Sequence, residues 1–222
     1  MIQPSLEQQR ILAAPLGPMR IAAGAGTGKT TTISLYVAHL VERGGFQPEE
    51  VLGLTFTNKA AAELSDRIRE MVAPLSGAGR EADVHTYHGF AAQVVREFGA
   101  LVGLERDSAV ITPTFSRQLL LDAMERRHFE HVDLTWRGVV ERVQRLGDSL
   151  GDHLVDPADL IAVAEDEAPW PERLELLAAW ADYAGVKQRL GVVDYADLIA
   201  AAVKLTEHHP DVAARLRRRY RV

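Results

Sequence analysis

The sequence predicts an α/β protein: a parallel sheet flanked by helices, with an all-helical segment inserted into it. Three observations lead there. Ile21-Ala22-Ala23-Gly24-Ala25-Gly26-Thr27-Gly28-Lys29-Thr30 joins a short apolar run to a helix-periodic stretch through a glycine-rich turn. Two more apolar runs, 51–56 and 82–86, are each followed by a helix-periodic stretch, and strands separated by helical crossovers form parallel sheets covered on both faces. From about 107 to 190 the strand signal vanishes and proline-led helical stretches replace it.

In order along the chain, residues 5–13 read as a short helix with Ser5 as N-cap. Residues 19–23 read as the first buried strand. The stretch 31–43 carries Ile33, Val37, Leu40 and Val41 at the spacing of one buried helix face, and Gly44-Gly45 ends it. The strand 51–56 leads to a helix over 58–72 with Ala61, Leu64, Ile68 and Met71 on one side. The strand 82–86 leads to a helix over 90–101 with Phe90, Val94, Phe98 and Leu101 inward. Beyond it, helices are predicted over 113–127, 133–150, 157–167 and 171–190. Thr112-Pro113 and Asp156-Pro157 each set a capping residue before a proline, and Pro171 opens the last. Trp136, Trp170 and Trp180 are expected in core or helix contacts. The run Glu165-Asp166-Glu167 reads as a solvated helix end. Val192-Val193-Asp194 opens a helix to about residue 208, Pro210 opens another, and Tyr220-Arg221-Val222 reads as the first step of a strand.

Composition narrows the function classes. The chain has 222 residues, 47% hydrophobic and 25% charged, as in ordinary globular proteins. It has no cysteine, so disulfides and thiolate metal sites are excluded, which suits the cytoplasm. The formal net charge is −6, so any nucleic-acid contact is local, not a broad basic face. The charge is uneven. Residues 107–190 hold 9 Lys/Arg against 16 Asp/Glu, which marks the middle off from its flanks as an insertion.

The glycine-rich stretch has the chemistry of a phosphate cradle. Glycines at 24, 26 and 28 allow positive φ and close backbone approach to a ligand. Successive N–H groups then form an anion nest at the positive end of the following helix. Lys29 adds a mobile charge for the β- and γ-phosphates, and Thr30 a hydroxyl for Mg²⁺. Ala23 stands at the first position of the G-x-x-x-x-G-K-[ST] pattern. Further on, Leu54-Thr55-Phe56-Thr57-Asn58-Lys59 and His85-Thr86-Tyr87-His88-Gly89-Phe90 put polar and aromatic residues at the carboxyl ends of predicted parallel strands. That edge is where open α/β sheets bind ligands. Aromatic rings beside Lys, Asn, Thr and His suit an unpaired polynucleotide, by stacking on bases and bonding to phosphates. A buried strand end for Phe56, and ordinary capping or core bonding for His85 and His88, account for the same residues equally well at this level.

AGAGTGKT, LTFTNKAAAEL and VHTYHGFA resemble motif I, motif Ia and the following motif of the UvrD/Rep/PcrA helicases of superfamily 1. EQQRIL is similar to that family's glutamine motif, and VVDYADLIAAAVKL to the segment upstream of its motif II. The resemblance covers about 1–100 and 191–222. It implies a RecA-like P-loop NTPase sheet, with 1–106 as the first part of domain 1A, 107–190 as a helical 1B-like insertion and 191–222 as the return to domain 1A. It implies ATP and Mg²⁺ as cofactors, with Gln8 on the adenine edge, and Ala23, Gly24, Ala25, Gly26, Thr27, Gly28, Lys29, Thr30 and Thr31 around the phosphates. It implies Lys29 and Thr30 as the catalytic pair, with Thr30 on the metal. It implies single-stranded DNA and single–double-strand junctions as partners, with Phe56, Thr57, Asn58, Thr86 and His88 on the DNA. Pro4-Ser5 stands where the family commonly has Leu-Asn, and Gly89 where Ser is frequent.

The resemblance implies that motif II would follow Val222. The expectation is therefore an N-terminal fragment of a 3′-to-5′ translocating helicase, with negligible ATP turnover on its own and a tendency to self-associate through an exposed sheet edge. The helicase subunit of a recombination helicase–nuclease and a binding-only truncated module are the alternatives within this reading. A small-molecule or nucleotide kinase shares the loop but leaves the Phe56 and Tyr87 segments without a role.

Overall fold

The computed structural model describes residues 4–24, 26–76, 80–106, 108–125, 127–133, 135–167 and 170–222, with backbone alone at 76, 152 and 164–167. Ala25 and the side chains of Glu165, Asp166 and Glu167 therefore lie outside the described part. The elements in the first half are α1 (Leu6–Leu12), α2 (Lys29–Arg43), β1 (Leu52–Thr55), α3 (Asn58–Ser76), β2 (Asp83–Thr86) and α4 (Tyr87–Phe98). They continue as β3 (Ala109–Val110), α5 (Pro113–Met124), α6 (Trp136–His153), α7 (Pro157–Glu167) and α8 (Pro171–Leu190). β4 (Val192–Val193), α9 (Tyr195–His208) and α10 (Pro210–Arg219) complete the chain. Two compact units result: Met1–Phe90 with Pro210–Val222, and Ala91–His209.

The first unit is built on a parallel pair. β1 and β2 run in register from Leu52↔Asp83 to Thr55↔Thr86. The C-terminus joins the other side of β1. Val222 N–H donates to Glu50 O (3.2 Å) and Leu52 N–H to Val222 O (2.8 Å), bracketing Val51 in the pattern of a parallel bridge. No strand spans residues 220–222 as expected: Tyr220 N–H still donates to Leu216 O at 2.8 Å, and only the last two residues bond beside β1. Val37 of α2 and Leu64, Ile68 and Val72 of α3 close over Val51 and Ala82, with Val222 against the same cluster. Asp83 secures the C-terminal segment: Tyr220 Oη donates to its Oδ2 at 2.6 Å and Arg219 Nη2 at 2.9 Å.

The predicted buried strand at 19–23 is corrected. Among the described residues it joins no ladder, and Met19 and Ile21 are each 40% exposed. A strand exists only through its neighbours' hydrogen bonds, and nothing described here pairs with this run. Two predicted inward positions also differ, since Ile33 and Leu101 are exposed. On α2 the buried face is partly hydroxylic. Thr32 and Ser34 are buried because each donates to the carbonyl four residues back, Gly28 O (3.0 Å) and Thr30 O (2.9 Å).

In the second unit, α5 and α6 pack on α8. The core is Leu119, Leu120 and Met124 against Val139, Val140 and Val143, closed by Leu176, Ala179 and Tyr183. Met124 and Val143 have 0% exposure; burying a side chain of this kind contributes roughly 1.5–3 kcal/mol. Helix starts are side-chain capped as the residue types demand, by Thr112 on α5, Thr135 on α6 and Asp194 on α9. The segment read as strand-free does contain one strand: β3 pairs in parallel with β4, two residues each, too short to leave a periodic signal. Trp180 packs against the core over Gly147. Trp136 and Trp170 are instead about half exposed, at 46% and 52%. Trp136 meets Phe129 edge-on, and Trp170 carries the Arg173 guanidinium over its ring at 4.1 Å. Among the described residues no helix is long and apolar enough to cross a membrane.

Candidate nucleotide and nucleic-acid site

The phosphate-loop residues form a turn at the head of α2. Gly26 and Gly28 have φ of 77° and 82°, a left-handed backbone that a Cβ disfavours. Gly28 is the N-cap of α2 and brings no capping side chain to that helix's first-turn N–H groups. Lys29 and Thr30 are the first two helical residues, so the helix starts earlier than 31. The Lys29 ammonium donates to Ala23 O (3.2 Å) and Gly24 O (2.8 Å), and Thr27 Oγ1 donates to Gly24 O (2.9 Å). The loop is thus held closed by its own polar groups, with Lys29 exposed and its cation at the carbonyls of 23 and 24. Positive-φ glycines, an N-cap without a side chain and an adjacent ammonium are a donor set that suits a triphosphate. A hydroxyl at Thr30, half-buried at the same turn, is the hard oxygen ligand that Mg²⁺ accepts. Among the described residues no group of His, Asp and Glu is arranged to hold a metal by itself.

Two neighbours complete this end. Thr31 Oγ1 accepts from Arg67 Nη1 of α3 at 3.0 Å, and Gln8 Nε2 donates to Thr32 Oγ1 at 3.0 Å. Gln8 is thereby brought to the loop from α1, where Ser5 and Gln8 form a reciprocal capping box. Arg67 and Thr32 were not foreseen. No local motif identifies an arginine in mid-helix or a third threonine in a row, because their partners lie 36 and 24 residues away.

The second cluster lies at the carboxyl ends of β1 and β2. The register pairs Thr55 with Thr86, so the next residues, Phe56 and Tyr87, leave the sheet at the same level. Their ring centroids are 5.2 Å apart. Phe56 is 86% exposed and Tyr87 is also exposed, so Phe56 is no buried strand end. Each strand turns directly into a helix. Thr57 caps α3, its Oγ1 accepting from Ala60 N–H at 3.1 Å, and Thr86 caps α4, its Oγ1 accepting from Gly89 N–H at 3.0 Å. A Cβ on Gly89 would lie 3.1 Å from that hydroxyl, so glycine leaves the cap room. Thr86 capping also explains why α4 begins at Tyr87, which puts exposed His88 in its first turn. Asn58, exposed, opens α3. Two helix N-termini therefore open beside an exposed aromatic pair, and such termini favour phosphate oxygens. Tyr87 was missed as a site residue. The signal for it was its place one residue past β2, matching that of Phe56 past β1.

The sequence profile of the UvrD/REP helicase N-terminal domain matches residues 5–222. The chain belongs to the UvrD/REP helicase family. It is similar to the ATP-dependent DNA helicase PcrA of Staphylococcus aureus, 28% identical over 209 residues, covering 93% of this chain and 27% of the relative. The protein of the same name from Leuconostoc citreum is 29% identical over 204 residues, covering 92% of this chain and 26% of the relative. That from Staphylococcus epidermidis is 27% identical over 208 residues, covering 92% and 27%. The chain thus spans about a quarter of the length of these curated relatives, in agreement with the family resemblance of its motifs.

Proposed function

We propose that this chain is the N-terminal ATP-binding part of an ATP-dependent DNA helicase that moves 3′ to 5′ on single-stranded DNA in the cytoplasm. In this reading, Gly24 and Gly26–Gly28 hold the phosphates, Lys29 neutralises the β- and γ-oxygens, Thr30 joins the Mg²⁺ shell and Gln8 reads the adenine. ATP supplies the phosphoryl group whose transfer drives the motor, and the chain's own part is electrostatic positioning. Phe56 and Tyr87 stack on unpaired bases, while Asn58, His88 and the N-termini of α3 and α4 meet the backbone at a single–double-strand junction. Residues 1–106 with 191–222 are the RecA-like domain 1A, and 107–190 the 1B-like insertion. What supports an insertion is that the chain leaves the first compact unit and later re-enters it, although the compact units divide after Phe90 and before Pro210 instead of at 107 and 190.

The single observation that carries the reading is the exposed Phe56–Tyr87 pair beside two helix N-termini. It sits in the same compact unit as the glycine loop, with Arg67 tying α3 to α2. The exposed apolar Leu16, Met19 and Ile21 support self-association of the isolated chain, which sedimentation would detect. The test of the main reading is fluorescence anisotropy with an oligo-dT probe. Base–aromatic stacking is worth about 1–3 kcal/mol, so Phe56→Ala weakens binding roughly 5- to 150-fold while thermal stability stays put. Lys29→Ala weakens ATP binding and leaves oligo-dT binding intact. Unchanged oligonucleotide affinity in Phe56→Ala would remove the proposed track.

A further inference from the structure

The Gln8 carboxamide is used at both ends before any ligand arrives. Its Oε1 accepts from Ser5 N–H at 2.9 Å, and its Nε2 donates to Thr32 Oγ1 at 3.0 Å. The Thr32 hydroxyl has one proton, and that proton goes to Gly28 O at 3.0 Å. Toward Gln8, then, Thr32 presents lone pairs only, while Ser5 N–H can only donate. A flipped amide would set N–H against N–H and carbonyl against hydroxyl lone pair, losing two hydrogen bonds together. One orientation is left. In it, one lone pair on Oε1 and one N–H on Nε2 remain unspent. The group also lies against the loop, since a Cβ built on Gly28 would stand 3.6 Å from Nε2.

We propose that Thr32, with the Ser5 backbone, is a positioning residue that fixes the Gln8 amide so that the nucleotide site accepts adenine and disfavours guanine. This rests on the nucleotide reading given above. Adenine offers an N6–H donor beside the N7 acceptor, which matches one free acceptor and one free donor on a glutamine amide. Guanine offers O6 and N7, both acceptors, so a fixed amide meets one of them with its own carbonyl. A freely rotating amide still matches adenine better, but it can turn its N–H to one guanine acceptor and its carbonyl away, so it discriminates less. The same bonds end on the carbonyl of Gly28, whose left-handed backbone opens α2. Gly28 O also accepts the Thr32 backbone N–H at 2.8 Å, so the loop carbonyl keeps a partner when the hydroxyl is removed. Thr32 does not touch the base in this scheme.

The experiment is calorimetric titration of the 222-residue chain with ATP, GTP and inorganic tripolyphosphate. ATP binds more tightly than GTP to the wild type. Thr32→Val, close in shape, reduces that preference about fivefold with tripolyphosphate affinity unchanged, and Thr32→Ser restores it. A wild-type ATP/GTP ratio in Thr32→Val overturns the proposal. If Gln8→Ala also leaves the ratio unchanged, the adenine reading of Gln8 fails as well. If Gln8→Ala abolishes the preference, that reading stands and only the positioning role is lost. A second readout needs no nucleotide. The ¹⁵N-resolved side-chain amide signals of Gln8 shift in the free Thr32→Val chain and hold in Thr32→Ser. Signals unmoved in Thr32→Val overturn the proposal independently.

Discussion

Lys187 offers the sharpest test of how the second unit is held together. It is 5% exposed, yet its ammonium lies 2.7 Å from Asp194 Oδ2 and 2.7 Å from Asp197 Oδ2. Asp194 is the N-cap of α9, its capping box with Asp197 is complete, and Tyr183 Oη donates to the same Asp194 oxygen at 3.1 Å. Tyr183 in turn shares a short hydrogen bond with Ser116 of α5. One ammonium thus joins α8 to α9, with α5 tied in through Tyr183. Lys187→Met keeps the volume and removes the charge, leaving two neighbouring carboxylates without their cation. Breaking a buried pair in this way costs about 3–5 kcal/mol. Asp197 retains 34% of its side-chain exposure, so water solvates part of its charge, and the lower end, about 3 kcal/mol, applies. With a urea dependence of about 2 kcal/mol per molar, the unfolding midpoint falls by about 1.5 M. Trp136, Trp170 and Trp180 all lie in the second unit, so tryptophan fluorescence reports that unit alone. The triple variant Lys187→Met, Asp194→Asn, Asp197→Asn recovers most of the loss, because no charge is then stranded. A midpoint shift below about 0.3 M in Lys187→Met would refute the claim that the ammonium neutralises a buried pair.

Two further predictions follow from the same unit. A Cβ on Gly147 would lie 2.2 Å from the Trp180 ring, so Gly147→Ala forces the indole from its seat, destabilises the unit by roughly 1–3 kcal/mol and shifts the emission spectrum; an unshifted spectrum at wild-type stability would contradict the packing. For pH, burial pushes the Asp194 carboxyl up, but the Lys187 charge and the hydrogen bonds to it win and hold it below the ordinary carboxylate value. Its stabilisation is therefore complete above about pH 4 and is withdrawn as pH falls through its lower folded value, so Asp194→Asn flattens the stability profile below pH 4; a profile parallel to wild type there would show that Asp194 does not titrate as described. Asp197 moves oppositely, raised by burial despite Lys187, with the Asp194 charge adding to the rise.

The division between what was legible and what was not follows interaction range. Capping at Ser5 and Thr112, the helices opened by Pro113, Pro157, Pro171 and Pro210, and the positive-φ turn at Gly26 and Gly28 are local chemistry and readable from a few adjacent residues. The 19–23 strand was misread because an apolar run of five states a preference without naming a partner. Phe56 could not be assigned to core or surface from spacing, since exposure depends on what the far end of the sheet presents.

By itself, the sequence determined the glycine loop with its lysine and threonine, the parallel strand–helix alternation and the family resemblance, because each resides in residue types at short fixed separations. Only the tertiary structure decided that Phe56 meets Tyr87, that Gln8 reaches Thr32 and that Lys187 closes over two aspartates. Those pairings join residues from separate elements, and strand register and helix packing, not local preference, bring such groups within bonding distance.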